Sequence, residues 1–227
     1  MELKRQAAEA AADRIQDGMV LGLGTGSTVR YAIEVVGRRV AEGWDLAGVP
    51  TSRATEDLAA SLQIPLTTLE EHPRLDLTLD GADEVDPQLN LIKGLGGALL
   101  REKIVAAASQ AFLVVADDSK LVERLGQKAP LPVEVLPFGL RRTEGTLEAL
   151  GCKAELRKDG AFPFLTDNGN YVLHCAFGTI EDPETLARSL SAIPGVMEHG
   201  LFLGMADAAF VASASGVTEM RRPSPVG

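Results

Sequence analysis

Between Leu75 and Leu79 the chain alternates: Leu75, Leu77 and Leu79 fall on one face, Asp76 and Thr78 on the other. That period of two predicts a β-strand. The strand runs directly into Asp80-Gly81-Ala82-Asp83-Glu84. A second block follows, Lys93-Gly94-Leu95-Gly96-Gly97, ahead of an apolar, alanine-rich segment from Ala98 to Ala108 that favours helix and carries Glu102 near its start. Acids and a lysine are therefore expected on loops at element ends. The glycines beside them let a ligand approach the backbone closely.

The rest of the first half alternates strand and helix. Residues 3–16 are alanine-rich and amphipathic, ended by Asp17-Gly18. Residues 19–23 read as a short strand entering Gly24-Thr25-Gly26-Ser27-Thr28, and 29–40 as a helix. Strands are expected at 46–49 and 64–69, with a helix at 53–62 that Thr51 or Ser52 can cap. Residues 111–116 are continuously apolar, as in a sheet covered on both faces, and end in Asp117-Asp118-Ser119-Lys120. Such alternation predicts an α/β fold: a Rossmann-like, mainly parallel sheet with helices on both faces. Ligands of these sheets sit beyond the carboxyl ends of the strands, and three of the expected strand ends carry polar groups.

The pattern changes after Gly126. Prolines at 130, 132 and 137 mark a boundary. Strands are expected at 133–136, 154–157, 171–177 and 196–203, with helices at 142–150 and 183–193, the latter behind Asp182 as cap and Pro183 at its first position. This β-α-β-β-α-β order is the split βαβ, ferredoxin-like arrangement. The expected organisation is thus residues 1–126 with 204–227 as one Rossmann-like α/β domain and 127–203 as an inserted α+β domain. Residues 205–220 would return to the first domain as a strand or loop, and Arg221-Arg222-Pro223-Ser224-Pro225 would be loose.

The glycine loop at 22–28 fits neither common nucleotide motif. G-x-G-x-x-G fails because Ser27 or Val29 falls on the third glycine, and a P-loop needs a lysine that is missing. What remains is a helix start with hydroxyls, which either caps the helix or binds an anion through free N–H groups. Composition narrows the ligand. The 227 residues are 45% hydrophobic, enough for a sizeable core, and the formal net charge is −10. That balance argues against nucleic acid, whose affinity comes from lysine and arginine on phosphates. An anionic ligand would need a local cationic pocket. Cys152 and Cys175 form no CxxC pair and read as reduced cytosolic thiols. The first residues lack the apolar run of a signal peptide, and residues 201–217 are too interrupted to span a membrane. His72, His174 and His199 are scattered without ligand spacing, so no metal site is expected.

Taken together, Gly24-Thr25-Gly26-Ser27-Thr28, Asp80-Gly81-Ala82-Asp83-Glu84 and Lys93-Gly94-x-Gly96-Gly97-Ala98-x-x-Arg101-Glu102-Lys103 resemble the A-type ribose-5-phosphate isomerase family. The resemblance runs from the first helix to the end. It implies interconversion of D-ribose 5-phosphate and D-ribulose 5-phosphate, with no cofactor, by a cytoplasmic homodimer or dimer of dimers. Carried over by position, Glu102 matches the catalytic base and Asp80, Asp83 and Lys93 the polar active-site residues. Thr25, Gly26, Ser27, Thr28, Gly81, Ala82, Gly94, Leu95, Gly96, Lys120 and Lys4 match substrate-binding positions. Leu95 departs from the pattern, standing where many relatives have a further glycine. Such isomerisation moves a proton from C2 to C1 through an enediolate. Burial would raise the Glu102 pKa to suit a base, while a helix start and Lys93 would lower it. A sugar-phosphate sensor on the same sheet is the rival reading. It would need a DNA-binding module, for which the segment before the first strand is too short and the charge unsuitable. Acyl-CoA transfer on a related sheet would need a glutamate nucleophile and a nucleotide site that the sequence does not offer.

Overall fold

The computed structural model describes residues 1–222. The chain opens with α1 (Glu2–Ala12), whose buried Ala7, Ala8, Ala11 and Ala12 form one small-residue face. Methyl groups there let the helix lie close against the sheet and its neighbour α2. Strand β1 (Val20–Leu23), helix α2 (Val29–Ala41), β2 (Ala47–Pro50) and α3 (Arg53–Ser61) follow. Ser52 caps α3 by accepting from the Thr55 amide, one of the two caps the sequence offered. Next come β3 (Leu75–Gly81), the short β4 (Glu84–Val85) and β5 (Leu91–Ile92), helix α4 (Leu99–Ala107) and β6 (Ser109–Asp117) with a single 3-10 turn, Asp118–Lys120.

The second half holds β7 (Leu131–Val135), α5 (Leu140–Glu148), β8 (Lys153–Leu156), a small hairpin of β9 (Lys158–Asp159) and β10 (Phe162–Pro163), β11 (Tyr171–Ala176), α6 (Pro183–Ser191), β12 (Val196–His199) and β13 (Leu201–Phe202). Asp182 caps α6 through the Thr185 amide, with Pro183 in the first turn, as the sequence suggested. The chain closes with the antiparallel pair β14 (Ala208–Ser213) and β15 (Gly216–Arg221). Arg221 is thus in a strand rather than loose, and residues 223–225 of the expected tail lie outside the described residues.

The main sheet has the order β15-β14-β6-β3-β1-β2 and is parallel except for β15. Chain order reverses at β1: β2 lies on one side and β3 on the other. The crevice between the carboxyl ends of β1 and β3 is therefore a topological switch point, the place where such sheets bind ligands. The second sheet, β12-β7-β11-β8, is wholly antiparallel and packs a separate apolar core that includes Leu131, Val133, Leu147, Leu173 and Leu190.

Two expected strands differ. Residues 64–69 make only an isolated bridge, Leu66 to Gly48, so β2 stays an edge. The strand expected over 196–203 is broken at Gly200. Its amide donates to the Pro132 carbonyl (2.8 Å), while its own carbonyl accepts from the Lys93 amide (2.9 Å). At that point the chain leaves the second sheet. It then joins a three-stranded ribbon, β13-β5-β4, which carries Lys93 at its end.

Candidate active site

Six segments meet at the switch point and line a cavity of about 220 Å³. The loop after β1 contributes Thr25, Gly26, Ser27 and Thr28, and the loop after β3 contributes Gly81, Ala82 and Asp83. Lys93, Gly94 and Gly96 come from the β5–α4 connection, with Glu102 from α4. Lys4 of α1 and Lys120 of the turn after β6 complete the wall. Lys4 and Lys120 bring to this crevice the local positive charge that a chain of net charge −10 needs for an anion, while Lys93 is balanced by Asp80.

At the floor lies a buried triad. The Lys93 ammonium stands 3.0 Å from Asp80 Oδ2 and 3.2 Å from Glu102 Oε2, and donates to the Gly81 carbonyl at 2.5 Å. All three side chains are 3% exposed or less, so water contributes little to their balance. Asp80 Oδ1 also accepts from the amides of Gly81 (2.7 Å) and Thr25 (3.1 Å). Gly24 makes this possible, since a Cβ there would sit 2.2 Å from the Asp80 carboxylate.

Burial raises the Glu102 carboxyl to about 8; the charge of Asp80 adds to the rise and Lys93 opposes it. Burial also pushes Asp80 upward, against Lys93 and the two amides. Burial disfavours the Lys93 ammonium, but Asp80 and then Glu102 outweigh it and hold the lysine above its ordinary value. Two carboxyls beside one ammonium cannot both ionise cheaply. Asp80 accepts from two backbone amides and, among the described residues, Glu102 Oε2 has no hydrogen-bond donor, so the charge settles on Asp80 and the proton on Glu102. Of the opposing effects on Glu102 weighed from the sequence, burial wins. A carboxyl poised near neutrality beside an ammonium can take and return a proton at an adjacent carbon.

Only Glu102 of the Arg-Glu-Lys run faces the cavity. Successive helical residues point about 100° apart. Arg101 donates to Asn168 Oδ1 (2.8 Å), and Lys103 donates to Glu198 Oε1 (2.7 Å) and the His199 carbonyl (2.6 Å). At the other end, Lys4 Nζ donates to Ser27 Oγ at 2.8 Å. Neither hydroxyl at 27–28 caps α2: Thr28 holds the cap position without a side-chain bond. The hydroxyl of Thr25 turns into a cluster with Thr51 (2.8 Å), Ser52 (2.8 Å) and Thr55 (3.1 Å), and its amide is committed to Asp80. Leu95 is not part of the lining: its amide is committed to Asp83 Oδ2 at 2.9 Å.

No sequence pattern points to the groups that press on the glycine loop from either end of the β9–β10 hairpin. Arg157 Nη1 donates to the Leu95 carbonyl at 2.8 Å. The Phe164 ring lies where a Cβ on Gly97 would come within 2.5 Å of it. Arg157 simply follows a strand, and no local pattern sets it apart. Among the described residues, no group of three or more His, Cys, Asp or Glu side chains is placed to hold a metal ion, and no helix is long and apolar enough to cross a membrane.

The fold is that of an α/β enzyme, and the crevice lies at the sheet's switch point. The family model of ribose 5-phosphate isomerase A (phosphoriboisomerase A) matches residues 47–216. A ribose-5-phosphate isomerase A from Roseiflexus sp. is 55% identical over 224 residues, covering 97% of this chain and 96% of the relative. The solved ribose 5-phosphate isomerase of Plasmodium falciparum superposes with a TM-score of 0.95 at 39% identity, covering 98% of this chain and 99% of its own. A D-ribose-5-phosphate isomerase solved in complex with phospho-erythronic acid gives 0.95 at 43% identity, covering 97% and 98%. The chain belongs to the ribose 5-phosphate isomerase A family.

Proposed function

We propose that this enzyme interconverts D-ribose 5-phosphate and D-ribulose 5-phosphate through an enediolate, as a step of non-oxidative pentose phosphate metabolism. One observation carries the reading: Glu102 and the Ser27–Thr28 turn line the same small cavity, with Lys93 3.2 Å from Glu102. The substrate phosphate lies against Ser27, Thr28 and the free amides of that turn, with Lys4 and Lys120 supplying charge. Its binding anchors the reacting end.

Asp83, on the cavity wall, moves the ring hydroxyl proton as the furanose opens; Asp80 is buried beneath and orients Lys93. Glu102, ionised in the reactive form, takes the proton from C2 and returns it to C1. The oxygens of the enediolate carry the developing charge towards Lys93 and the amides of Gly94 and Gly96, each such donor being worth roughly 3–4 kcal/mol in the transition state. A solved relative is in complex with phospho-erythronic acid; the planar carboxylate of that compound resembles an enediolate in shape and charge, so it should compete with ribose 5-phosphate here.

The test is incubation of chelator-treated protein with ribose 5-phosphate in deuterated water, following ketose formation and label at C1. The expected result is turnover that Glu102→Gln lowers by about 10²-fold or more while the sugar phosphate still binds. Lost binding with undiminished turnover removes Glu102 from the base role. The same reading makes the enzyme a cytoplasmic homodimer or dimer of dimers, with residues 127–203 an inserted domain that joins the contacts. Sedimentation of the purified protein as a monomer alone would count against that assembly.

A further inference from the structure

The loop that carries the oxyanion donors is gripped from outside the main sheet. The Leu95 residue is held at both ends: its N–H donates to Asp83 Oδ2 (2.9 Å) and its carbonyl accepts from Arg157 Nη1 (2.8 Å). Arg157 and Phe164 flank the β9–β10 hairpin, where the Phe164 amide donates to the Arg157 carbonyl at 3.0 Å. The guanidinium lies over the Phe164 ring with 3.7 Å between its carbon and the ring centroid. That stack immobilises an otherwise flexible side chain. The ring in turn abuts Gly97, whose φ of +90° and missing Cβ let the loop pass beneath it.

We propose that Arg157 is a positioning residue for the isomerisation. It reaches in from the second sheet and fixes the Leu95 peptide, so that the Gly94 and Gly96 amides keep their aim at the developing oxyanion. This rests on the proposed enediolate reading. An amide aimed wrongly by a fraction of an ångström loses most of its value in the transition state, whereas phosphate binding at the Ser27–Thr28 turn is untouched. The role therefore separates kcat from KM. Asp83, which accepts from the N–H of the same residue, ties the grip to the cavity wall, so the segment after β8 and the crevice share one held loop.

The experiment compares Arg157→Met, Arg157→Lys and Phe164→Leu with the parent enzyme in steady-state kinetics and in inhibition by phospho-erythronic acid. Thermal melting accompanies each. Arg157→Met is expected to lower kcat about 10-fold or more with KM for ribose 5-phosphate changed less than about 2-fold, and to weaken phospho-erythronic acid in parallel with kcat. Arg157→Lys, which keeps a donor, should recover part of the loss. Phe164→Leu, which keeps the guanidinium, should lose less than Arg157→Met. A folded Arg157→Met enzyme with parental kcat overturns the proposal, as does Arg157→Lys no better than Arg157→Met, or Phe164→Leu as impaired as either. A parent enzyme that fails to turn over ribose 5-phosphate defeats the isomerase reading instead.

Discussion

Replacing Glu102 by glutamine should cost activity and yet stabilise the protein, by an amount that depends on pH. In the folded state burial lifts this carboxyl from an ordinary 4.5 to about 8. Between those values the folded chain keeps a proton that the unfolded chain has released, so the folded state binds more protons. Stability therefore falls as pH rises through the window. Each unit corresponds to about 1.4 kcal/mol. Integrated from about pH 5 to about pH 8, the Glu102 contribution changes by roughly 3–4 kcal/mol. Glutamine has no proton to keep, so the subtraction reports the titration of Glu102 together with its coupling to Asp80 and Lys93. Urea unfolding followed by circular dichroism at several pH values should show the stability gap, variant minus parent, widening by that amount towards pH 8. A gap constant to within about 1 kcal/mol across the range would mean that Glu102 is already ionised, its charge fully met by Lys93. The argument from burial would then fail.

Four further outcomes follow from the same geometry. Because Glu102 must be ionised to accept a proton, kcat/KM should climb with pH through about 8; a plateau already reached near pH 6 contradicts this. Gly24→Ala drives a Cβ to 2.2 Å from Asp80 and should lower kcat by about 10²-fold, measured in the ketose assay; near-parental turnover refutes the tight packing of Asp80. Ser27→Ala and Lys120→Ala should chiefly raise KM, each about 10-fold for a lost bond to a charged group, and an effect confined to kcat speaks against a phosphate at that turn. Thr25→Val breaks the hydroxyl cluster with Thr51, Ser52 and Thr55 and should cost about 1–2 kcal/mol in denaturant titration; an unchanged midpoint would make the cluster incidental.

Periodicity alone located most of the strands and helices. The Leu75–Leu79 alternation and the continuous apolar run at 111–116 are core strands of the sheet, because each face of a pleated strand reports its own burial. The loops at strand ends were legible for a related reason: glycines and acids interrupt the apolar pattern where the sheet gives out. Three things were not legible. The break at Gly200 depends on pairing with Pro132 on one side and Lys93 on the other, and neither partner is near in sequence. The expected strand at 64–69 has the right residues but pairs with β2 through a single bridge, Leu66 to Gly48. Arg157 acts on a loop 62 positions earlier, a relation that only the fold creates. Within the site, Lys93 stood out through its glycine loop, while Glu102 was singled out near a helix start and given its role by the family resemblance. The contest between burial and the lysine over Glu102 needed coordinates.

The Gly200 break has a consequence for how the enzyme fails. Lys93 is anchored through its own amide to a carbonyl lent by the chain as it crosses from one sheet to the other. Melting the antiparallel sheet would release that carbonyl and leave the ammonium on an unsupported ribbon, even with every parallel strand intact. Heat inactivation and loss of the smaller sheet should accordingly be one event. A fragment restricted to the larger sheet would be inert however well it folded.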